Sequence, residues 1–493
     1  MSMKKYEFWF VVGSQFLYGP EVLETVAARA AEMAAAIHAN PDIPCSFIFK
    51  GVVKTPDEAT AIIKDANRCN ACAGVVTWTH TFSPSKMWIQ AFGLLQKPLC
   101  HFATQYNEAL PDSIDMDFMN LNQAAHGDRE HGFILARMRK PQKIVMGFWK
   151  DPTVLQELGN WMRSAVGFAV SQDLRVIRFG DNMRNVAVTE GDKIEAQMQL
   201  GWQVNTWPVG ELAQTIREIP DAEVDARMAS YGNRYEFATD DLDAVRYQAR
   251  MEIAIRRFLK RENAGAFSNT FEDLCGMRQL PGLATQAIMQ DGFGFGAEGD
   301  WKTAALLRVI KQMTAGLDKG SSFMEDYTYH LVPGQEAVLG AHMLEVCPSI
   351  AASKPRIEVH PLGIGGKEPP ARLVFNARPG SATASTLVDM GGRFRLICQD
   401  IDVIPPISPM PNLPVARMMW KLQPDLKTAV KLWILAGGAH HSVVSFDATP
   451  VMLADWARIA GIEFVHITAD TNPEQFEQQL FLQDAIWQLR SIR

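Results

Sequence analysis

Ser322-Phe323-Met324-Glu325-Asp326-Tyr327-Thr328-Tyr329-His330 is where this chain changes its pattern. Its aromatic and hydroxyl-bearing residues favour a strand. More strand candidates follow at residues 337–346, 356–360 and 371–375, then a hairpin turning at Met390-Gly391-Gly392. Prolines between Pro405 and Pro414 mark an irregular crossing. Residues 433–436 and 443–446 read as strands on either side of Gly437-Gly438-Ala439-His440-His441-Ser442. Strands in succession without helices between them predict an antiparallel sheet or barrel. The tail then reads helix (452–460), strand (463–467), helix (473–490).

Upstream of Ser322 the pattern is different. Strand candidates at 6–12, 74–79, 98–103 and 143–149 alternate with helical stretches such as 21–39. A second alternating set begins near Leu174, with strands at 175–179 and 264–269 and a helix from about Asp300. Such alternation means βαβ units and parallel sheets. The expected architecture is two parallel-sheet α/β domains, residues 1–173 and 174–321, followed by a β-rich, barrel-like C-terminal domain, 322–493, with terminal helices.

Composition narrows the function classes. At 493 residues, 47% hydrophobic and 21% charged, the chain has the make-up of a multidomain globular protein. A net charge of -7 and no Lys/Arg run argue against a nucleic-acid partner. No apolar run approaches the ~20 residues that span a membrane, and the run Phe8 to Val12 is too short for a signal peptide. Seven scattered cysteines fit reduced thiols in a cytoplasm. The Cys69–Cys72 pair lacks the second pair of ligands of a structural zinc site and reads as ordinary thiols between a helix and a strand.

Four segments place ionisable groups beside glycine or alanine in apolar surroundings: Gly296-Ala297-Glu298-Gly299-Asp300-Trp301-Lys302, the opening stretch with Glu325, Leu339-Gly340-Ala341-His342-Met343-Leu344-Glu345, and Leu435 to Ser442 with its histidine pair. A buried carboxylate must be neutral, paired or bound to a metal. Two carboxylates and two imidazoles can share one divalent cation, and mixed oxygen and nitrogen donors suit Mn²⁺, Co²⁺ or Mg²⁺. Taken singly, Asp300 also fits a helix N-terminus, and His342 fits a satisfied core histidine. Gly363-Ile364-Gly365-Gly366-Lys367 lacks the spacing of a phosphate loop.

These segments, with Gly13-Ser14-Gln15-Phe16-Leu17-Tyr18-Gly19, His80-Thr81-Phe82-Ser83-Pro84-Ser85-Lys86-Met87-Trp88, Asp115 to Gln123, Ala125-His126-Gly127-Asp128-Arg129-Glu130, Arg178-Phe179-Gly180-Asp181-Asn182-Met183-Arg184 and Thr270-Phe271-Glu272-Asp273-Leu274, resemble the L-arabinose isomerase family along nearly the whole chain. The resemblance implies that Glu298, Glu325, His342 and His441 bind a divalent metal, usually Mn²⁺, and that Glu298 and Glu325 are also the acid/base pair. It implies a sugar pocket of Gln15, Leu17, Met183, Phe271 and Ile364, with Phe82, Gln123 and His126 supplied by a neighbouring subunit of a trimer-based homo-oligomer, often a hexamer. It places His441, rather than His440, on the metal; strand alternation would then put His440 behind it. Two positions depart from the family pattern: Phe16 and Cys275 stand where the family usually has histidine.

The expected chemistry is aldose–ketose isomerisation, L-arabinose to L-ribulose, with a side activity on D-galactose giving D-tagatose. One carboxylate would take the C2 proton and the other would return a proton to C1 through a cis-enediol; a metal-assisted hydride shift is the rival. A related sugar isomerase, such as one acting on L-fucose, and a non-catalytic sugar-binding protein are the alternative functions.

Overall fold

The computed structural model describes residues 3–490. The chain divides into two compact units, Met1–Ala169 and Val170–Arg493.

The first unit is built on five strands: β1 (Glu7–Gly13), β2 (Ser46–Val53), β3 (Cys72–Thr79), β4 (Leu99–Ala103) and β5 (Lys143–Met146). They form one parallel sheet in the order β2-β1-β3-β4-β5. Every residue of β3 is buried. A parallel sheet covered on both faces calls for such a continuous apolar run, not for alternation. The helices supply the cover. Helix Pro56–Arg68 starts with Pro56 after Thr55, whose side chain accepts a hydrogen bond from Glu58 N, and it packs Ala59, Ile63 and Ala66 inward. The same core cluster holds Trp9, Val11, Val75, Trp88 and Phe92. Cys69 follows that helix and Cys72 opens β3, and all seven cysteines are free thiols.

The second unit opens with another parallel sheet: β6 (Arg175–Phe179), β7 (Gln203–Trp207), β9 (Ala266–Asn269) and β10 (Gly294–Ala297), in the order β10-β9-β6-β7. The two-residue β8 (Glu236–Phe237) joins β13 (Arg356–Val359) and β14 (Ala371–Val374) in a small sheet. The remaining strands are β11 (Ser321–His330), β12 (Ala337–Ala341), β15 (Gly380–Asp389), β16 (Phe394–Ile404), β17 (Arg417–Leu422), β18 (His441–Ser445) and β19 (Glu463–Ile467). They run β15-β18-β11-β12-β17-β16, and β16 pairs back onto β15, closing an antiparallel barrel with β19 added in parallel to β16. Closure leaves those six strands without an open edge. Two parallel α/β sheets followed by a closed β-barrel is the architecture expected from the change of pattern at Ser322.

Two strand expectations need correction. The strand foreseen at 337–346 stops at Ala341, so His342 lies just beyond it. The strand foreseen at 433–436 lies mostly in helix Leu426–Leu435, which Asp425 caps by accepting from Thr428 N. A four-residue apolar run reads alike in a strand and in the last turn of a helix. Among the described residues no helix is long and apolar enough to cross a membrane.

Candidate active site

Strand register assembles the site. In the barrel, Glu325 on β11 stands opposite His441 on β18 and, on its other side, opposite Ala341 on β12. Residues directly opposite in antiparallel strands share a face, so Glu325 and His441 point the same way and His342 follows one step beyond Ala341. Phe323, two residues before Glu325, lies on that same face. Its ring meets His342 at 5.1 Å and His441 at 5.0 Å, both edge-on, and packs on Phe295 at 5.6 Å. The two histidine rings lie 6.0 Å apart.

The fourth group comes from the α/β sheet of the same unit. β10 ends at Ala297, and Glu298-Gly299-Asp300 leads into helix Trp301–Met313. The helix lies close against the strand: a Cβ at Gly296 would stand 2.2 Å from Asp300 O, which accounts for glycine there. Ligands of open α/β sheets gather at the carboxyl ends of strands, and Glu298 is at such an end. Its Oε2 is 3.7 Å from His441 Nε2, and Glu325 Oε2 is 3.8 Å from His342 Nε2.

Both histidines are oriented from behind. His342 Nδ1 bonds Glu345 Oε2 at 2.5 Å, and His441 Nδ1 bonds Asp300 Oδ2 at 3.2 Å. A carboxylate on Nδ1 fixes the ring and its tautomer and leaves Nε2 facing inward. His441 Nε2 is buried and makes no hydrogen bond. Asp300 is held in turn by Thr303 and by Lys302, whose buried Nζ lies 3.5 Å away and also donates to the Val188, Thr189 and Glu190 carbonyls. Burial works to raise the Asp300 carboxyl, but Lys302 and His441 hold it well below the usual carboxylate range. Burial likewise opposes ionisation of Glu298, and His440, His441 and His342 together pull it below its ordinary value. For His342, burial is overridden by Glu345, Glu325 and Glu298, which raise it. Burial, aided by Glu325, pushes Asp326 up to about 7.

His440 is not behind the site. Its Nε2 is 3.6 Å from Glu298 Oε2, and Glu298, His440 and His441 offer ligand atoms within 4.8 Å of one another. The alternation argument fails because His440 precedes β18 and leaves the Gly437-Gly438 turn outside any ladder. The tightest cluster among the described residues is therefore this trio, while Glu325 and His342 join it through the pairs given above. Sequence reasoning also missed what Glu345 and Asp300 do; the signal available was their place two or three residues from His342 and Glu298.

The expected sugar-pocket residues fall into two groups. In the second unit Met183 and Phe271 are half-buried and Ile364 is exposed on a loop. Arg184 ties the Met183 segment to the Phe271 turn through Glu272 at 3.3 Å and Asp273 at 3.2 Å, and Met183 N donates to Glu298 O at 2.9 Å. In the first unit Gln15 and Leu17 follow β1, Phe82 follows β3, and Gln123 and His126 lie after β4, at the start of helix Ala124–Arg137. Tyr18 Oη donates to Gln123 Oε1 at 2.9 Å, the Phe82 and His126 rings stack at 4.3 Å, and Leu17 is 83% exposed. Phe16 and Cys275, the two departures, are both exposed.

Known proteins match throughout. Profiles of the L-arabinose isomerase N-terminal, central and C-terminal domains cover residues 2–173, 175–316 and 320–463. The chain is 52% identical over 492 residues to the L-arabinose isomerase of Thermotoga petrophila, with 99% of each chain covered. It is 53% identical over 494 residues to that of Anoxybacillus flavithermus (99% of this chain, 98% of the relative), and 52% identical over 497 residues to that of Geobacillus stearothermophilus (99% and 100%).

Proposed function

The chain belongs to the L-arabinose isomerase family and is an isomerase, and from that premise we propose that it interconverts L-arabinose and L-ribulose with a glutamate acid/base pair at a divalent-metal centre. The observation that carries the reading is the barrel register, which sets Glu325 beside His441 and next to His342 while β10 delivers Glu298 to the same rings.

The donor set fits a cation. Two carboxylates and two imidazoles are hard-to-borderline ligands suited to Mn²⁺, with Co²⁺ or Mg²⁺ as substitutes, and the buried Nε2 of His441 holds a lone pair with no hydrogen-bond partner. Glu298, Glu325, His342 and His441 would hold the ion. When bound, it supplies positive charge that lowers the cost of the negative charge developing on the sugar oxygens.

The residues do the rest. Aldose-to-ketose conversion moves one proton from C2 to C1 and another from O2 to O1. One of the two glutamates accepts the proton leaving C2 and the other delivers a proton to C1, through a cis-enediol; the first then gives its proton to O1 and the second takes the proton of O2, so both carboxyls end as they began. Glu345 and Asp300 keep the histidine rings fixed during that exchange, and Phe323 closes the apolar side against water. Met183, Phe271 and Ile364 line the sugar pocket, Gln15 and Leu17 of the first unit also bind sugar, and D-galactose is turned over to D-tagatose as a side activity.

Phe82, Gln123 and His126 serve the site of a neighbouring copy in a trimer-based, hexameric assembly in the cytoplasm. Ketose formation from L-arabinose with and without Mn²⁺ tests the central reading: activity abolished by chelation and restored by Mn²⁺ is expected, and full turnover after verified metal removal would refute it. Mixing inactive His126→Ala chains with inactive Glu325→Gln chains should restore part of the activity on reassembly. Verified mixed oligomers that stay inactive would show that each copy is self-sufficient.

A further inference from the structure

Glu298 occupies a backbone conformation that its residue type disfavours. Its φ is +60°, in the left-handed region that residues with a Cβ enter only when their surroundings compel it. Gly299 follows at φ +80°, and a Cβ there would stand 2.5 Å from Asn182 Cα and 2.7 Å from Asp181 O. The turn that presents Glu298 is thus pressed directly onto residues 181–182. Hydrogen bonds hold it there: Met183 N to Glu298 O at 2.9 Å, Gly299 N to Asn269 O at 3.1 Å, and Asn182 Nδ2 to Gly299 O at 3.3 Å.

The Asn182 side chain is engaged at both ends. It is 4% exposed. Its Nδ2 also donates to Thr189 O at 2.7 Å, the carbonyl that Lys302 Nζ reaches at 3.0 Å, and its Oδ1 accepts from Arg178 Nη1. Arg178 is anchored on Thr206 at 2.9 Å. A planar carboxamide with both ends engaged therefore connects β6, the 187–190 segment and the Glu298 turn.

We infer that Asn182 is a positioning residue for Glu298: with the neighbouring Met183 N–H it holds the left-handed turn that swings the carboxylate out of the line of β10 toward His440 and His441. Without that hold, residue 298 relaxes to an ordinary φ, and its carboxylate leaves the histidines. The consequence for catalysis rests on the reading of Glu298 given above; the backbone claim does not.

The test reads the backbone first. Glycine enters the left-handed region freely and alanine does not. In an otherwise unchanged chain Glu298→Gly should therefore melt about 2–4 °C above Glu298→Ala. In an Asn182→Ala background that gap should close to below about 1 °C; the effect of glycine on the unfolded chain is the same in both backgrounds and cancels. An unchanged gap would overturn the inference. If Asn182→Ala fails to fold, Asn182→Asp, which keeps the acceptor for Arg178 and loses both donors, gives the same comparison. With Glu298 intact, Asn182→Ala should weaken Mn²⁺ binding about tenfold and lower kcat at least about tenfold, with KM changed by less than about threefold. Met198→Ala, at a side chain 76% exposed on helix Lys193–Leu200 of the same unit, should leave these quantities as they were. A parent chain that binds no Mn²⁺ would defeat the proposed function and still leave the melting gap to decide the role of Asn182.

Discussion

Each unit carries a pair of buried histidines, and the two pairs differ in what the rings face. In the first unit His101 Nε2 bonds Asp128 at 2.8 Å and its Nδ1 meets Thr77 Oγ1 at 3.1 Å, while His131 Nε2 meets the same hydroxyl at 3.0 Å. The rings lie 4.4 Å apart, and Trp88 and Phe92 pack edge-on against His131. In the second unit His342 and His441 are also buried and each also bonds a carboxylate, but through Nδ1, and their Nε2 atoms turn toward two further carboxylates, Glu325 and Glu298. Thr77 bridges the first pair with a neutral hydroxyl in a buried strand, and the remaining nitrogen of His131, Nδ1, is buried without a hydrogen-bond partner and faces no carboxylate. Nothing satisfies the second pair except acids that need a counter-charge of their own. A buried histidine with a carboxylate is thus no site by itself; what its other nitrogen faces decides.

The sharpest way to break this contrast is to remove the facing carboxylates. Glu298→Gln and Glu325→Gln keep size and lose basicity, so each should lower kcat by about a thousandfold or more while the chain still folds. Near-normal turnover in either variant would take that glutamate out of the acid/base pair. Asp128→Asn, the matching change in the first unit, should act on stability and leave the proton transfer alone, read as a lower melting temperature with kcat within about threefold of the parent.

Metal binding sharpens the contrast further. Mn²⁺ should raise the melting temperature, because a ligand bound only to the folded state stabilises it. His441→Ala should abolish that rise together with activity, whereas His131→Leu should keep the full rise from a lower starting point. His440→Ala falls between: its ring reaches Glu298 at 3.6 Å from a partly exposed position, so a loss of about 10–100-fold in Mn²⁺ affinity with measurable binding retained is expected. Titration of the three variants ranks them, and a His440→Ala that loses all binding while His441→Ala retains it would reassign the ligand.

The contrast also marks where sequence reading stopped. The change at Ser322 was legible because strand-rich composition and the loss of intervening helices extend over more than a hundred residues. Glu298, Glu325, His342 and His441 could be singled out because ionisable groups stood in apolar, glycine-flanked runs. The assembly of those runs was not legible. The pairing of Glu325 with His441 depends on which strands neighbour β11 in a closed barrel, and no local pattern encodes that order. Boundaries failed where a few apolar residues had to decide: helix Leu426–Leu435 was read as ending in a strand, although Asp425 and Thr428 had left a capping signal. β2 escapes a reading from sequence because its half-buried run, broken by Lys50 and Gly51, lacks the uniform apolarity of β3. The place of His440 escapes alternation because the residue stands one position before the strand begins.

The smallest expected effect concerns pH. Burial, with His101 beside it, holds His131 well below the ordinary histidine value, so in the folded chain it stays neutral. Unfolded, it titrates at about 6.5. Below that pH the unfolded state therefore binds a proton that the folded state refuses, and stability falls as pH falls. The stabilisation from keeping His131 neutral is complete above the unfolded value and declines by at most about 1.4 kcal/mol for each pH unit below it. His80 adds to the same trend, since burial and Arg29 lower it to about 3. Replacing His131 with leucine removes one titrating group. The variant should melt lower than the parent at pH 7, through the lost bond to Thr77, yet lose less on going from pH 7 to pH 5. The difference in slope between the two chains, and not the melting temperature at either pH, is the measured quantity. Parallel slopes would mean that His131 takes up its proton in the folded chain too, and that the first-unit pair is less closed to charge than its packing against Trp88 and Phe92 requires.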